Sequence, residues 1–285
     1  MKSLNVLNYH APTPIQSRVI PALLNHKDLV IKSKTGSGKT AAFSIPIIQH
    51  IKWDKREPQV LVLTPTRELA IQVKEDMFNI GRFSRIKVEA VYGKSSYESQ
   101  AKQLKQRTHV IVSTPGRLID HVVNKTVDLS HISTLVIDEA DELLRMGFIE
   151  EVERIIHFLP LKRLTVLLSA TMPTDIEKLS NLYMNNPELI VIEDDEVTEN
   201  KLIQYYYEVE QKDKLKLIDD VLIIQNPNSA IIFCNTKQAV DEVCEMMDEK
   251  EYLVHKIHGD MEQKDRLKVM NDFKHGLFRY LVATD

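Results

Sequence analysis

A glycine-containing segment near the amino terminus follows a run of β-branched residues and precedes an apolar, helix-like run that begins at Ala41. The segment reads Ser33-Lys34-Thr35-Gly36-Ser37-Gly38-Lys39-Thr40. Its glycines allow backbone N–H groups to converge on phosphate oxygens at the positive end of the following helix. Lys39 can place a charge on the β- and γ-phosphates, and the Thr40 hydroxyl can ligate Mg²⁺. This context predicts a nucleotide-binding P-loop, in which Ser33 replaces the glycine that is commoner at that position.

Short apolar runs alternate with helical patterns over the first part of the chain. The runs that we predict as strands are Leu29–Ile31, Val60–Leu63, Val88–Val91, His109–Val112, Thr134–Ile137 and Thr165–Leu168. Between them, segments such as Glu68–Ile80 and Phe148–Phe158 carry apolar residues at spacings of three and four, as amphipathic helices do. The alternation predicts an α/β fold with a parallel sheet that is buried on both faces.

A second series of strands begins after an acidic stretch, Glu193 to Asn200, that is typical of an inter-domain linker. The strands that we predict there are Ile203–Val209, Ala230–Phe233, Val254–Ile257 and Tyr280–Ala283. The pattern therefore predicts a first domain at residues 1–193, a linker at 194–202 and a second domain at 203–285. Because the last strand ends at the end of the chain, we expect the second domain to be incomplete.

The composition of the 285 residues, with 43% hydrophobic and 27% charged side chains, is that of a globular protein. The sequence shows no apolar window long enough for a membrane span, no signal-peptide core, and too few cysteines for a disulfide framework. We therefore expect a cytoplasmic protein without a membrane partner. The net charge of −4 disfavours nucleic-acid binding through bulk charge, so any such binding must use local donors or a basic part outside this chain.

An acidic sequence, Asp138-Glu139-Ala140-Asp141, directly follows the predicted strand Thr134–Ile137. Ligands of open α/β sheets bind at the carboxyl ends of the strands. We expect Asp138 to hold Mg²⁺ and Glu139 to orient and deprotonate a water molecule, so that these two residues and Lys39 form the candidate catalytic set. The alternative is an acidic helix N-terminus whose carboxylates only complement the helix dipole. The P-loop upstream favours the catalytic interpretation.

Besides the P-loop, eight short motifs resemble, in order, those of the DEAD-box helicases of superfamily 2. They are Pro14-Ile15-Gln16 (Q motif), Pro65-Thr66-Arg67-Glu68-Leu69-Ala70 (Ia), Thr114-Pro115-Gly116-Arg117 (Ib), Asp138 to Asp141 (II), Ser169-Ala170-Thr171 (III), Ile232-Phe233-Cys234-Asn235-Thr236 (IV), Gln263-Lys264-Asp265-Arg266 (Gln-x-x-Arg) and Ala283-Thr284-Asp285 (start of V). The resemblance covers nearly the whole chain and is greatest to the bacterial DbpA-like branch. It implies a RecA-like P-loop NTPase domain followed by a truncated second RecA-like domain.

The resemblance also implies roles for individual residues. It implies an ATP site in which Gln16 reads the adenine edge, residues 33–40 bind the phosphates, and Thr40 and Asp138 hold Mg²⁺. It implies that Asp141, Ser169 and Thr171 couple this site to RNA. The residues for which it implies contacts with the RNA backbone, without base specificity, are Pro65, Thr66, Arg67, Gly93, Thr114, Gly116, Arg117, Asn235, Thr236, Gln263, Arg266 and Thr284.

The chain departs from the family pattern at two points. Family members usually have Gly-Gly where this chain has Gly93-Lys94, so Lys94 can replace a close backbone contact with a charge. They also place an adenine-stacking aromatic residue farther upstream of the Q motif than this chain extends. We interpret Tyr9 as a core or hinge residue rather than as a substitute for that aromatic residue.

Three activities are compatible with these motifs: RNA unwinding, DNA unwinding or translocation by a member of the same superfamily, and ATP-gated clamping of RNA during assembly. The combination of a Q motif with Asp138 to Asp141 favours an RNA helicase, which we expect to be a monomer, and analogy with the DbpA-like branch suggests ribosomal RNA and ribosome assembly. The arginine-rich motif VI is not in the chain. Since such arginines contribute about 10³–10⁵ in rate, we expect this chain to bind ATP but to hydrolyse it little.

Overall fold

The computed structural model describes residues 2–192 and 203–284, and the chain divides into two compact units, Met1–Glu196 and Val197–Asp285. The linker predicted at 194–202 lies outside the described residues. Each unit contains a parallel sheet, as the alternation of strands and helices predicts. None of the helices in the described ranges is both long enough and apolar enough to cross a membrane.

The first unit is built around a sheet of seven parallel strands in the order β3-β4-β2-β5-β6-β1-β7. The strands are β1 (Leu29–Lys32), β2 (Val60–Leu63), β3 (Val88–Val91), β4 (Val110–Ser113), β5 (Thr134–Ile137), β6 (Leu164–Ser169) and β7 (Glu188–Val191). The helices are α1 (Lys2–Val6), α2 (Pro14–Leu24), α3 (Lys39–His50), α4 (Arg67–Gly81), α5 (Tyr97–Leu104), α6 (Pro115–Val123), α7 (Ala140–Arg145), α8 (Ile149–His157) and α9 (Thr174–Tyr183).

Both faces of this sheet are buried, because successive residues of a strand point to opposite sides. Val60 and Val62 pack into the cluster formed with α2, α3 and α4, whereas Leu61 and Leu63 pack into the cluster formed with α6, α7, α8 and α9. Each strand therefore needs apolar residues at successive positions, because both of its faces are covered by helices. All six strands predicted for this part of the chain are confirmed within one residue at each end. The edge strand β7, which is largely exposed, was not predicted.

The second unit has a three-stranded parallel sheet in the order β8-β10-β9. Its elements are a 3₁₀ turn at Gln211–Asp213, α10 (Lys214–Gln225), β8 (Ala230–Cys234), α11 (Lys237–Glu249), β9 (Val254–Ile257), α12 (Gln263–Lys274) and β10 (Tyr280–Thr284). The strand predicted over Ile203–Val209 is wrong: these residues form no strand, and Tyr205 and Tyr206 are largely exposed. These residues alternate as in a strand, but the segment pairs with no strand among the described residues.

Candidate active site

The predicted P-loop lies between β1 and α3. The Ser33 N–H donates to the Ser169 carbonyl oxygen at 3.0 Å, which ties the start of the loop to the end of β6. Gly36 and Gly38 have φ values of 77° and 93°, a region that favours glycine. A Cβ atom on Gly38 would also come within 2.7 Å of Gln16 Nε2. Gly38 is therefore required both for its backbone conformation and for the close approach of α2.

Side chains of the loop close it internally. The Ser33 hydroxyl bonds the Ser37 hydroxyl at 2.7 Å, and Ser37 donates to the Lys34 carbonyl oxygen at 3.0 Å. The buried Lys39 ammonium donates to the Ser33 carbonyl oxygen at 2.9 Å. Since an ammonium has three donors, this bond leaves Lys39 able to donate to phosphate oxygens. The serine that replaces glycine at position 33 thus contributes a hydrogen bond to the loop.

Gln16 packs against the P-loop from α2, and its side chain is only 3% exposed. Its Oε1 accepts from the Thr13 N–H at 3.0 Å, and its Nε2 donates to the Gly38 carbonyl oxygen at 3.4 Å. Thr13 adds a hydrogen bond from its hydroxyl to the Ser37 carbonyl oxygen at 3.0 Å. Gln16 therefore supports the loop. Its second amide N–H and its remaining oxygen lone pairs are left to hydrogen-bond an adenine edge, and that contact stays a prediction. Thr13 was missed, although Thr13-x-x-Gln16 is the pattern of a capping box.

Asp138 occupies the end of β5 beside the P-loop and is only 3% exposed. Its Oδ1 accepts from the Glu139 N–H at 3.0 Å. Burial raises the pKa of the Asp138 carboxyl to about 6, with Lys39 opposing the rise and Glu139 adding to it. A divalent cation would offset the cost of burying the charged carboxylate, and carboxylate oxygens are ligands that hard cations prefer. The Thr40 hydroxyl, at the start of α3, can supply a second oxygen ligand. The residues present therefore fit Mg²⁺, and its binding by Thr40 and Asp138 stays a prediction.

Glu139 is strained and sits at the mouth of the cleft. Its backbone is left-handed, with φ 48° and ψ 54°, which costs a residue with a Cβ about 1–2 kcal/mol. Burial raises the pKa of this half-buried carboxyl, with Lys39 opposing and Asp141 adding to the rise. A backbone held in this conformation at a cleft, with a carboxyl made more basic by its surroundings, is the arrangement expected of a general base.

Asp141 joins α7 to the segment that follows β6. The backbone N–H and the hydroxyl of Thr171 both donate to Asp141 Oδ2 at 2.8 Å, and the Asp141 N–H donates to the Ser169 hydroxyl at 3.2 Å. Burial raises the pKa of Asp141, but the hydrogen bonds from Thr171 outweigh it, and the net pKa is lowered. The three residues predicted to couple ATP to RNA are thus held together as one ionised, hydrogen-bonded unit, and the coupling itself stays a prediction.

The cleft formed by these elements has further lining residues that the motifs did not identify. The P-loop and the acidic strand end share it with Tyr9, which follows α1, and with three residues of α4, namely Leu69, Gln72 and Asp76. Tyr9 was expected to be a core or hinge residue; the core alternative is wrong, since Tyr9 is 40% exposed and lines the cleft, and the hinge alternative stays a prediction. Burial, followed by the charge of Asp76, raises the pKa of the Tyr9 hydroxyl. No sequence pattern marks Tyr9, because its position depends on how α1 packs against α4.

The RNA contacts predicted for the first unit follow three neighbouring strands, β3, β4 and β2. Thr66 caps α4 by accepting from the Leu69 N–H at 3.2 Å. Arg67 lies near Gly93, because a Cβ atom added there would be 3.6 Å from Arg67 Nη2. A Cβ atom on Gly116 would have nothing within 4 Å, so the backbone there is open to a ligand. The predicted residues therefore share one edge of the sheet, as an extended phosphate backbone requires.

Arg117 is held inside the unit, with a side chain that is 14% exposed. Its Nη1 donates to the Ser95 carbonyl oxygen at 3.2 Å and lies 3.4 Å from Gln100 Oε1. The buried Gln100 also donates to the Tyr92 carbonyl oxygen at 2.9 Å and contacts His121 Nε2 at 3.2 Å. These bonds fasten the loop after β3 to α6. Gln100 is a positioning residue that the sequence did not reveal, since nothing in its local pattern distinguishes it from a surface glutamine on α5.

The predicted contacts of the second unit gather at the carboxyl edge of its own sheet. Thr284, at the end of β10, pairs in register with Cys234, the last residue of β8, and Asn235 and Thr236 follow directly. The Thr236 hydroxyl caps α11 by accepting from the Ala239 N–H at 3.1 Å. Gln263 and Arg266 lie in the first turn of α12. Their contacts with RNA stay predictions.

Comparison with known families gives two matches. The DEAD/DEAH box helicase model matches residues 13–179, and the helicase conserved C-terminal domain model matches residues 213–285. The ATP-dependent RNA helicase DbpA of Bacillus subtilis is 54% identical over the whole chain, which covers 60% of that relative. The DEAD-box ATP-dependent RNA helicase CshA of Geobacillus kaustophilus is 45% identical, and the chain covers 61% of it. The chain thus spans about three-fifths of these relatives.

Solved structures show the same fold. A DEAD box protein from the hyperthermophile Methanococcus jannaschii is 33% identical, with a TM-score of 0.64, and the alignment covers 99% of this chain and 76% of that chain. Dbp5 of S. cerevisiae, bound to RNA and ADP BeF3, is 27% identical with a TM-score of 0.85, covering 99% of this chain and 72% of that one. The RecA-like fold implied by the motifs is therefore confirmed.

Proposed function

Because the chain belongs to the DEAD-box helicase family, we propose that it is the ATP-driven core of an RNA helicase, in which ATP hydrolysis is coupled to RNA binding and local duplex unwinding. The observation that carries the proposal is the placement of Lys39, Asp138 and Glu139 in one cleft beside the P-loop. A phosphate chain bound by the loop would meet the Lys39 ammonium on one side and the Glu139 carboxylate on the other.

The residues of the cleft divide the chemistry among them. The backbone N–H groups of residues 36–40 and the Lys39 ammonium bind and orient the phosphates. Thr40 and Asp138 would hold Mg²⁺, which when bound offsets negative charge on the β- and γ-phosphates. Glu139 accepts a proton from the water that attacks the γ-phosphorus, and its raised pKa makes it a stronger base for this step.

Coupling to RNA follows from the contact between Asp141 and Thr171. Asp141 is two residues from Glu139, and Thr171 continues the segment after β6 that also contacts the P-loop through Ser169. If Glu139 shifts on nucleotide binding, Asp141 shifts with it and pulls on the Ser169–Thr171 segment, which is hydrogen-bonded to the P-loop at Ser169 and to Asp141 at Thr171. We propose that this unit transmits the state of the nucleotide to the RNA-facing loops.

The test is binding of a labelled single-stranded RNA and of DNA with the same sequence, each with and without a non-hydrolysable ATP analogue. We expect the analogue to raise the affinity for RNA more than the affinity for DNA, because the family motifs favour RNA. Equal gains for RNA and DNA, or no gain for either, would overturn the proposal. Strand displacement by the complete protein then separates unwinding from clamping, since a clamp retains RNA without separating a duplex.

We further propose that the protein is cytoplasmic and monomeric and that it acts on ribosomal RNA during ribosome assembly. The ribosomal part of this proposal rests on analogy with the DbpA-like branch. Competition between ribosomal RNA fragments and unrelated RNA of equal length tests the substrate. Equal competition would leave the helicase proposal intact and would remove the ribosomal one.

A further inference from the structure

A second surface of the first unit carries concentrated positive charge. Three segments, residues 52–57, 82–87 and 105–109, immediately precede or lead into the neighbouring strands β2, β3 and β4. They therefore lie at the amino ends of these strands, opposite the P-loop and the predicted RNA loops, which lie at the carboxyl ends. The four residues of each strand separate the two edges by about 13 Å. We call the surface formed by the three segments the basic edge.

The charge of the basic edge contrasts with that of the whole chain. Its exposed basic side chains are Lys52, Lys55, Arg56, Arg82, Arg85, Lys87, Lys105 and Arg107. The same segments contain two acidic residues, Asp54 and Glu57, whereas the chain has a net charge of −4. A protein that is acidic as a whole thus gathers cations on one edge, which is the electrostatic pattern of a polyanion-binding surface.

Buried His109 fixes the three segments to one another. Its Nδ1 accepts from the Lys87 N–H at 2.8 Å, so its Nε2 carries the proton and donates to the Trp53 carbonyl oxygen at 3.0 Å. Arg107 Nη2 also donates to the Asp54 carbonyl oxygen at 3.2 Å. The basic edge is therefore organised before any ligand binds, which lowers the entropy cost of binding.

Exposed aromatic rings accompany the cations. Trp53 is 52% exposed, with the Arg85 guanidinium 5.6 Å from its ring centroid. Phe83 is 58% exposed, with the Arg82 guanidinium 5.5 Å from its ring centroid. Aromatic side chains between basic residues are what surfaces for single-stranded nucleic acid use, because bases stack on the rings while cations meet the phosphates. An acidic peptide would use the cations but would leave the rings exposed.

We propose that the basic edge is a second binding surface for single-stranded RNA, separate from the nucleotide-gated edge. It binds the phosphate backbone through its lysines and arginines and stacks a base on Trp53. The choice of RNA rests on the proposed function, but binding here does not depend on nucleotide, since the surface shares no residue with the ATP cleft.

The single tryptophan of the chain makes the proposal directly measurable. Titration of the 285-residue chain with a single-stranded RNA of about 15 nucleotides, without nucleotide, is expected to quench the fluorescence of Trp53. Replacement of Lys52, Lys55 and Lys87 by glutamine removes three exposed charges. If each meets a phosphate, the slope of log affinity against log salt decreases by about 2, and the affinity at 0.1 M salt falls by about 100-fold.

A matched control removes three exposed lysines from the second unit, Lys212, Lys214 and Lys216, also by glutamine. We expect this control to keep the RNA affinity and salt slope of the wild type. A Trp53→Ala variant, followed with labelled RNA, is expected to bind about fivefold or more weakly.

Three results would overturn the proposal: no change in Trp53 fluorescence with RNA, equal losses in the two triple variants, or quenching by an acidic peptide with none by RNA. Each is distinct from failure of the helicase proposal, which is read from the effect of the ATP analogue. Far-UV circular dichroism of each variant confirms that the fold is retained.

Discussion

Replacement of Asp138 by asparagine is predicted to stabilise the first unit while removing its capacity to hold Mg²⁺. The Asp138 carboxyl is buried, and burial raises its pKa from 3.8 to about 6. Between these two pH values the folded protein binds the proton more tightly than the unfolded chain does. Ionisation of Asp138 therefore destabilises the fold, and this cost is absent below about pH 3.8 and complete above about pH 6. Asparagine keeps an oxygen that can accept from the Glu139 N–H and carries no charge to bury.

The magnitude follows from the difference between the two pKa values. The rise from 3.8 to about 6 corresponds to about 3 kcal/mol at pH 7.5. At pH 5 the cost falls to about half of that, because most of the folded protein is already protonated at Asp138. The Asp138→Asn variant should therefore exceed the wild type by about 3 kcal/mol at pH 7.5 and by about half of that at pH 5.

Urea unfolding without Mg²⁺, followed by Trp53 fluorescence, measures this difference in the unit that contains Asp138. Asp141→Asn is the matched control, because hydrogen bonds from Thr171 lower the pKa of Asp141. A lowered pKa means that ionised Asp141 stabilises the fold at neutral pH, so this variant should lose stability, and the loss should shrink as the pH falls through the native pKa. An Asp138→Asn variant that is no more stable than the wild type, or whose gain does not change with pH, refutes the argument from burial.

Three further variants probe separate steps. In the complete protein, which would contain motif VI, Glu139→Gln should leave ATP affinity within about twofold and reduce single-turnover phosphate release by about 10²–10⁴-fold, and unchanged release would contradict its role as base. Thr171→Val removes one of the two hydrogen bonds that Thr171 donates to Asp141. The variant should keep its ATP affinity, but an ATP analogue should raise its RNA affinity less than it does in the wild type. An undiminished gain in RNA affinity would disprove the coupling role of this contact. Gln100→Leu should weaken analogue-dependent RNA binding about tenfold without changing ATP binding, since a lost buried hydrogen-bond network costs about 1–3 kcal/mol. Equal losses for ATP and RNA would indicate a general structural defect.

The strands of the first unit and the placement of the candidate site residues at their ends were predictable because their signals are local. Buried parallel strands are continuous apolar runs, so β2, β3 and β5 match their predicted bounds. The P-loop and Asp138 lie at strand ends, and the carboxyl edge of a parallel sheet brings such residues together whatever the length of chain between them.

The parts that could not be predicted depend on tertiary packing. Tyr9 reaches the cleft because the preceding helix α1 packs on α4, and Gln100 of α5 reaches both the loop after β3 and α6. The strand predicted over Ile203–Val209 shows the opposite error: an alternating pattern predicts a strand, but a strand also needs a partner edge. The edge strand β7 escaped prediction because its exposed residues lack the continuous apolar pattern of the inner strands.

The most direct test of the account is equilibrium binding of a fluorescent ATP analogue to the 285-residue chain in the presence of Mg²⁺, with ATP and GTP as competitors. We predict that ATP displaces the analogue, that GTP displaces it far less because of Gln16, and that the Lys39→Ala variant does not bind it. Equal displacement by ATP and GTP would contradict the role of Gln16. Binding of the analogue to Lys39→Ala with wild-type affinity would contradict the assignment of the cleft as the ATP site.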